Sequence, residues 1–328
     1  MIEKARILVT GGAGFIGSNL TAKLLELGHA VTVLDNFSTG KRENLNKFSV
    51  HPDFHLIEGD IRDQNTCLSA AENVDYIFHE AALGSVPRSI QDPQTSLAVN
   101  MFGFLNMIDA ARKNNVRRFV YASSSSVYGT DPAGIKMEQD TGKALSPYAV
   151  SKQTNELIAE NFNRVYGMET IGLRYFNVFG RHQDPDGPYA AVIPKFIRAL
   201  LRHEIPVING DGSNSRDFTY IDNVVHANIL SIEAPAEAAQ GKVYNIACGN
   251  RVTLNELYEE IQHTLAEYDP EIANLNAQYG PARKGDIPHS LADISLAEKY
   301  LTYHPLYQFK EGLRETVRWY FEQWNRQK

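Results

Sequence analysis

The sequence has few cysteines, no long apolar run and no excess of positive charge. Cys67 and Cys248 are the only cysteines among 328 residues and follow no metal-binding spacing, so we expect buried thiols rather than a disulfide or a metal site. The formal net charge is −7, which gives no basic surface for nucleic acid. No apolar run approaches the ~20 residues that a membrane span needs.

The rest of the composition is that of an ordinary globular protein. Hydrophobic residues make up 43% of the chain and charged residues 22%, and both values are typical of a folded domain. The N-terminus leads directly into an apolar segment and lacks the charged and apolar regions of a signal peptide. We therefore expect a cytoplasmic protein that binds neither nucleic acid nor membrane. Its length suits one large domain or two interleaved domains.

Short apolar segments alternate with longer amphipathic ones, which predicts strands alternating with helices. This alternation is typical of an α/β protein with a doubly wound parallel sheet, the Rossmann-like arrangement. We predict the sheet domain over residues 1–178 and about 218–248, and a smaller C-terminal α/β substrate lobe over 179–217 and 249–328. The predicted strands are residues 6–10, 31–35, 54–57, 76–79, 118–122, 170–176, 207–208 and 241–246. The predicted helices are residues 15–27, 64–72, 95–114, 147–166, 192–202, 254–267 and 309–324.

Three glycines, Gly11, Gly14 and Gly17, are spaced three apart where the first predicted strand leads into the first turn of the first predicted helix. A glycine turn at this point lets the pyrophosphate of a dinucleotide approach the backbone and the helix N-terminus. Asp35 ends the next predicted strand, where a carboxylate accepts a hydrogen bond from a ribose 2′-OH and repels a 2′-phosphate. The pattern therefore favours NAD as the cofactor, while the basic pair at 41–42 leaves NADP open.

Tyr148 and Lys152 are four residues apart in a predicted helix, so they lie on one helix face. A tyrosine can act as a base near neutral pH only if a neighbouring cation lowers its pKa, and Lys152 can supply that charge. An exposed tyrosine beside a solvated lysine explains the pair equally well when it is taken alone. The four serines at 123–126 follow the fifth predicted strand and bring hydroxyl groups to the same crevice, which favours a catalytic site for redox chemistry at a carbinol carbon.

At this point the chain resembles the extended short-chain dehydrogenase/reductases over nearly its whole length. The motifs that carry the resemblance are residues 11–17, 60–61, 79–82, 100, 123–129, 148–152 and 174–177. Within that family the chain is similar to nucleotide-sugar 4-epimerases. The segments 82–88, 189–194 and 210–217 look like those of the branch that acts on UDP-N-acetylhexosamines.

The resemblance implies roles for individual residues around NAD. Tyr148 would be the catalytic base, Lys152 would tune it and contact the ribose, and Ser124 would be the hydroxyl partner. Tyr175 would orient the nicotinamide. The implied cofactor-binding residues are Gly11, Gly14, Phe15, Ile16, Gly17, Asp35, Asn36, Asp60, Ile61, Ala81, Ala82, Asn100, Ser123, Tyr148, Lys152 and Tyr175.

The resemblance also implies a binding site for the UDP-sugar. Asn177 and Arg216 would hold the diphosphate-sugar, and Arg283 would be a second clamp on the diphosphate. Ser290 would occupy the position at which a tyrosine excludes the N-acetyl group and a small residue admits it, although an ordinary loop serine is the alternative. The implied substrate-binding residues are Gly84, Ser85, Arg88, Ser124, Ser125, Asn177, Ala191, Val192, Asn209, Arg216, Arg283, Asp286 and Ser290.

The serines at 124–126 distinguish an epimerase from related enzymes. Dehydratases carry a carboxylate beside the catalytic hydroxyl and decarboxylases carry a Glu there, whereas this chain has neither Asp nor Glu at these positions. The resemblance therefore predicts inversion at C4 of a UDP-N-acetylhexosamine (UDP-GlcNAc/UDP-GalNAc), through hydride transfer to bound NAD and return. The open alternatives are the corresponding UDP-uronates, because Arg88 could contact a C6 carboxylate, and UDP-glucose/UDP-galactose. A net dehydrogenase and a non-catalytic NAD-binding protein are further alternatives.

The resemblance also bears on assembly. The helices predicted over 95–114 and 147–166 carry apolar faces, and related enzymes pair these helices in a four-helix dimer interface. The chain is therefore predicted to form a homodimer, although the same faces could simply cover the sheet.

Overall fold

The computed structural model describes residues 2–187, 190–282 and 289–327 of the chain. Its strands are β1 (Arg6–Thr10), β2 (Ala30–Asp35), β3 (Phe54–Glu58), β4 (Tyr76–His79), β5 (Arg118–Ser124), β6 (Glu169–Tyr175), β7 (Val178–Phe179), β8 (Val207–Asn209), β9 (Ser215–Arg216), β10 (Thr219–Tyr220), β11 (Gln240–Ile246), β12 (Val252–Thr253) and β13 (Gln278–Gly280). Its helices are α1 (Phe15–Glu26), α2 (Gln64–Ala70), α3 (Val86–Gln91), α4 (Pro93–Leu97), α5 (Gly103–Lys113), α6 (Pro147–Tyr166), α7 (Val192–Leu201), α8 (Ile221–Glu233), α9 (Leu254–Ala266), α10 (Ser295–Leu301) and α11 (Phe309–Gln327).

Seven strands form one parallel sheet in the order β11-β6-β5-β4-β1-β2-β3. Its central strands are apolar on both faces because helices cover both sides. In β1, Ile7 and Val9 face one layer of the core and Leu8 faces the other, as the alternation of side chains along a strand requires. The chain reverses its direction of winding between β1 and β4, which opens a crevice at the carboxyl ends of these strands. The predicted Rossmann-like α/β fold is therefore confirmed.

The two faces of the sheet are covered by different helices. α1 and α8 contribute to the core layer that contains Ile7, and α2 and α5 contribute to the layer that contains Leu8. α8 and the short helix α3 are not among the predicted elements. Both cysteines are free and buried, as expected from the sequence. None of the helices in the described ranges combines the length and apolar character that a bilayer crossing requires.

The helix predicted over residues 95–114 is not one regular α-helix. A π-helical turn at Ala98–Phe102 separates α4 from α5. Asn100 in this turn is buried, and its amide exchanges hydrogen bonds with the backbone of Leu83, accepting from N at 2.8 Å and donating to O at 3.3 Å. The widened turn therefore places a side chain where it holds the segment after β4, and such turns are frequent at functional sites.

The C-terminal residues form the short strand pairs β8–β13 and β9–β12 together with α7, α9, α10 and α11. β11 returns to the edge of the main sheet beside β6. One continuous apolar cluster runs from Val9 in the sheet to Leu257 in α9 and Leu313 in α11. Residues of both predicted lobes, with 218–248 assigned to the sheet domain, therefore contribute to one apolar core.

A buried ion pair fixes α6 to the sheet. Arg174 of β6 donates to both carboxylate oxygens of Glu156 at 2.9 and 2.8 Å, and the two side chains are 3% and 12% exposed. Ser123 Oγ at the end of β5 donates to the same carboxylate at 2.5 Å. Because α6 also carries Tyr148 and Lys152, these contacts set the position of both side chains relative to the ends of β5 and β6.

Replacing Glu156 with Gln leaves Arg174 buried without a counter-charge. We expect the free energy of unfolding to fall by about 3 kcal/mol, the usual cost of breaking one half of a buried pair. Glu26→Gln is the matched control, because Glu26 forms an exposed pair with Lys23 at 2.6 Å and should cost less than ~1 kcal/mol. Urea unfolding followed by circular dichroism measures both, and equal losses would show that the buried pair does not anchor the helix.

Candidate active site

A cavity of about 760 Å³ lies at the carboxyl ends of the strands, at the crossing between β1 and β4. It is lined by the glycine turn, the ends of β2, β4, β5 and β6, the start of α6 and parts of the C-terminal lobe. The predicted cofactor residues on its wall are Gly11, Gly14, Phe15, Ile16, Gly17, Asp35, Asn36, Asp60, Ile61, Ala81, Ala82, Ser123, Tyr148, Lys152 and Tyr175. The predicted substrate residues on its wall are Gly84, Ser124, Ser125, Asn177, Arg216 and Ser290. The sequence motifs are therefore brought together in one space.

The glycine turn is shaped to leave backbone exposed to this cavity. Gly11 has a φ of +69°, which favours glycine. A Cβ at Gly17 would lie 2.2 Å from Gly11 O, so α1 packs against the turn only if no side chain is present. Gly14 N donates to Gly11 O at 3.0 Å and stands at the N-cap of α1. The resulting cradle of backbone atoms before a helix N-terminus fits a pyrophosphate.

Asp35 and Asp60 lie on the wall beyond this turn. Asp35 accepts from the backbone N–H of Ala13 at 2.9 Å and of Phe37 at 2.8 Å, so it shapes the turn as well as facing the cavity. Burial raises the pKa of Asp35 above its ordinary value. The Arg62 guanidinium lowers the pKa of Asp60 to about 2, which keeps that carboxylate charged. Hydrogen-bond acceptors are thus in place for the hydroxyls of a dinucleotide, and NAD fits the cavity.

Tyr148 and Lys152 occupy the first two turns of α6 and face the cavity together. Ser146 caps the helix by accepting from Ala149 N at 3.1 Å, and Pro147 starts it. Lys152 Nζ donates to Ala122 O of β5 at 2.7 Å and lies 5.9 Å from the centre of the Tyr148 ring. The predicted shared face is therefore present in the structure.

The protonation of the pair differs from the simple expectation. Burial raises the pKa of Tyr148 above its ordinary value, against a lowering by a hydrogen bond with Ser124, whereas the sequence predicted a net lowering by Lys152. Burial lowers the pKa of Lys152 to about 8, while the charges of Glu80 and Glu156 act to raise it. Desolvation is the largest cause for both groups: it outweighs the Ser124 hydrogen bond at Tyr148 and the two carboxylate charges at Lys152.

Several predicted residues lie elsewhere or have another task. Asn100 is not among the described residues that line the cavity; its side-chain oxygen instead accepts a hydrogen bond from the backbone N–H of Leu83. Ser85 caps α3 by accepting from Arg88 N at 3.2 Å. The predicted substrate residues Ser85, Arg88, Ala191, Val192 and Asn209 are likewise not among the described residues that line the cavity. Arg283 and Asp286 lie outside the described residues.

Other wall residues were not identified from the sequence. Glu80 accepts a hydrogen bond from Tyr175 OH at 2.8 Å; it belongs to the recognised 79–82 motif, but nothing in that motif assigns it a role. Asp184 also lines the wall, where it pairs at 3.0 Å with Nζ of Lys41, a residue that the sequence singled out only as half of the basic pair at 41–42. These contacts join segments far apart in sequence, and local patterns carry no signal for them.

Comparisons with known proteins agree with this geometry. The model of the NAD dependent epimerase/dehydratase family matches residues 7–247. A curated UDP-glucose 4-epimerase of Mycolicibacterium smegmatis is 36% identical over 317 residues, which cover 96% of this chain and 98% of that protein.

Two solved structures are similar over nearly the whole chain. The UDP-N-acetylglucosamine 4-epimerase from Methanobrevibacter ruminantium M1, in complex with UDP-N-acetylmuramic acid, has a TM-score of 0.90 and 41% identity, covering 98% of this chain and 100% of that one. The UDP-glucose 4-epimerase of Thermotoga maritima, with UDP-glucose, has a TM-score of 0.88 and 35% identity, covering 97% and 99%.

These matches confirm three predictions made from the motifs: the family, the cofactor NAD, and an enzyme of the NAD-dependent epimerase class. Neither a net dehydrogenase nor a non-catalytic binding protein is needed to explain the chain. The chain belongs to the NAD dependent epimerase/dehydratase family.

Proposed function

We propose that this protein inverts C4 of a UDP-N-acetylhexosamine, interconverting UDP-GlcNAc and UDP-GalNAc with NAD held throughout the cycle. The observation that carries the proposal is that Tyr148, Lys152 and Ser124 line the same cavity as Arg216 and Ser290. The first three supply proton transfer at an alcohol, and the last two come from the lobe that would enclose a sugar diphosphate. The similarity to a UDP-N-acetylglucosamine 4-epimerase at 41% identity supports this sugar class.

In the proposed reaction the side chains of this chain handle the proton. Tyr148 takes the proton of the C4 hydroxyl, and Ser124, which acts to lower the pKa of Tyr148, holds the same oxygen. Lys152 provides a positive charge that favours the phenolate. The glycine turn, Asp35 and Tyr175 would hold NAD, which when bound would supply a place for the C4 hydride to go and return from. The keto-sugar then rotates in the cavity so that the opposite face of C4 receives the returning hydride. Tyr148 gives the proton back, and the product has the opposite configuration at C4 with no net oxidation.

Ser290 would set the size of the sugar pocket. Its backbone N–H donates to Ser215 O at 3.2 Å, and the neighbouring His289 ring lies 2.9 Å from Ser215 Oγ. These contacts tie the loop to β9, which carries Arg216. A small side chain at 290 leaves room for an N-acetyl group beside a residue proposed to hold the diphosphate.

A uronate substrate is the less supported alternative. It was suggested by Arg88 as a partner for a C6 carboxylate, but Arg88 is not among the described residues that line the cavity. UDP-glucose remains the other alternative, because it is the substrate named for two of the similar proteins. The predicted cytoplasmic location also stays a proposal.

Tyr148→Phe removes the proton acceptor and leaves the ring. We expect kcat for UDP-GlcNAc epimerisation to fall at least ~1,000-fold, because positioned proton transfer contributes factors of this order, with NAD content unchanged. Tyr268→Phe is the matched control, since Tyr268 is exposed and stacks on Phe321, and it should keep full activity. Turnover is measured from the amount of C4 epimer formed, and the NAD content is measured as the nucleotide released when the protein is denatured. Retained turnover in Tyr148→Phe would remove Tyr148 from the mechanism.

Ser290→Tyr should narrow the sugar pocket. We expect kcat/KM to fall at least ~10-fold more for UDP-GlcNAc than for UDP-glucose, which corresponds to about 1.4 kcal/mol of discrimination. Ser290→Ala keeps the small volume and should leave the ratio of the two rates unchanged. Both substrates are compared on each variant, and an equal loss on both in Ser290→Tyr would contradict the size gate.

We also propose the predicted homodimer through residues 95–114, which span the end of α4, the π-helical turn and α5, and residues 147–166, which form α6. Both regions expose large apolar side chains, with Phe102 63%, Leu157 66% and Val165 58% accessible. Such side chains on two neighbouring helices suit a helical interface with a second copy of the chain.

Leu157→Glu places a charge in the proposed interface and should convert a dimer into a monomer of 36.7 kDa. Leu306→Glu, at another exposed leucine, should leave the dimer intact. Light scattering coupled to size exclusion gives the mass of each protein, and an unmodified chain that elutes as a monomer would refute the interface.

A further inference from the structure

Glu80 is a half-buried residue whose carboxylate the proposed reaction does not use. It follows β4, and its Oε1 accepts from Tyr175 OH at 2.8 Å. Tyr175 OH in turn accepts from Asn228 Nδ2 of α8 at 2.9 Å. Glu80 Oε2 is buried and has no hydrogen-bond partner among the described residues, although Glu80 lines the cavity. When this carboxylate is ionised, no hydrogen bond compensates the charge on its second oxygen, so the charge acts on the neighbouring groups.

The titratable groups around Glu80 come from three elements. α6 presents Lys152 and Tyr148, β6 presents Tyr175, and β4 presents His79. Burial lowers the pKa of His79 to about 3, so this ring is neutral, and its Nδ1 lies 2.9 Å from Thr10 Oγ1. Tyr175 is a neutral phenol because burial and the Glu80 charge hold its pKa well above its ordinary value. β4 and β5 pair His79 with Tyr121, so Glu80 follows at the level of Ala122, whose carbonyl accepts from Lys152 Nζ at 2.7 Å. Lys152 is the cation among these groups, and its charge acts on Glu80.

A second carboxylate near Lys152 is shared with another cation. Glu156, one turn further along α6, also acts on Lys152, but it is bonded through both oxygens to Arg174. Its net field at Lys152 is therefore opposed by the guanidinium. Glu80 has no guanidinium or ammonium group bonded to it among the described residues, so the protonation of Lys152 depends on Glu80 more than on Glu156.

We propose that Glu80 is a positioning residue of the candidate site: one oxygen fixes Tyr175, and its negative charge keeps Lys152 protonated beside Tyr148. The inference rests on the proposed roles of Tyr148 and Lys152. Glu80 acts through these side chains and need not touch the sugar.

The charge of Glu80 has a definite sign of effect on both partners. It raises the pKa of Lys152 and that of Tyr148. Burial raises the pKa of Glu80 itself to about 7, so the carboxylate gains its charge as the pH rises through neutrality. Lys152 has a pKa of about 8. The Glu80 charge therefore keeps Lys152 protonated between about pH 7 and pH 8, where it would lose its proton if Glu80 were neutral.

The test is the titration of Lys152 in the full-length purified protein, followed by NMR of lysine labelled with ¹³C at Cε. We expect one lysine to titrate near pH 8, and Lys152→Met identifies it by its absence. In Glu80→Gln its midpoint should move down by roughly one pH unit, the effect of one unit charge across several ångström of protein. Glu80→Asp should restore most of the shift, and Glu72→Gln, at an exposed glutamate, should leave the midpoint unchanged.

Glu80→Gln also separates charge from structure, because its amide oxygen can still accept from Tyr175 OH. If Glu80 only holds Tyr175, this variant keeps both the Lys152 midpoint and the pH profile, and the proposal is overturned. If the charge matters, the alkaline limb of kcat/KM moves to lower pH by the same amount as the midpoint.

A variant that fails to fold does not end the test. Coupling between two groups is reciprocal, so ¹³C-labelled glutamate in the wild-type protein should show a carboxyl that titrates near pH 7. In Lys152→Met that midpoint should rise; an unchanged midpoint refutes the coupling. The titrations need no sugar, so they test this inference independently of the proposed function. If the protein epimerises no UDP-sugar but shows the expected midpoint shifts of Lys152 and Glu80, only the proposed function is refuted. If it is an active epimerase without these shifts, only this inference is refuted.

Discussion

The burial of a positively charged lysine is the constraint on which the candidate site depends. Lys152 is 3% exposed, and an uncompensated ammonium group in a protein interior is strongly unfavourable. Its compensation comes from the Ala122 carbonyl at 2.7 Å and from the charges of Glu80 and Glu156. These groups belong to β5, to the end of β4 and to α6 itself. The lysine can therefore stay charged only while the strand ends and the helix keep their present arrangement.

Much of the fold that holds this arrangement can be predicted from local sequence, because its signals are local. Apolar segments alternate with amphipathic ones along the chain. The glycine pattern also predicts the turn before α1, because any side chain at Gly17 would collide with Gly11 O. A spacing of four places Tyr148 and Lys152 on one face of α6 without any knowledge of tertiary structure. The features that were not predicted depend on distant partners. The π-helical turn at Ala98–Phe102 accompanies contacts of Asn100 with Leu83, and α8 is held by packing on the sheet rather than by strong caps.

Electrostatics was predicted less well than position. The sequence places a cation beside Tyr148 and so suggests a lowered pKa, but the structure buries the phenol and raises it. Residue spacing shows which charges are neighbours and does not show how much water remains around them, and desolvation can exceed a single charge interaction. The same reasoning explains why Glu80 escaped notice. In the motif it is one polar residue after a strand, and only the fold surrounds it with Tyr175, Asn228 and Lys152.

The wall opposite the catalytic pair is built differently, and this difference bears on how the site can serve different sugars. Ser124 and Lys152 are held by the buried sheet and by α6. Ser290 lies in a loop instead, and its backbone N–H donates to Ser215 O of β9. In the same loop, Ala292 N donates to the Asp217 carboxylate at 3.4 Å. Side chains in such a loop can change size without removing any of the groups that compensate the charge of Lys152. Because the catalytic residues are held by the sheet and α6 while the proposed size-determining residue lies in a loop, the fold can keep its proton transfer while the accepted sugar varies.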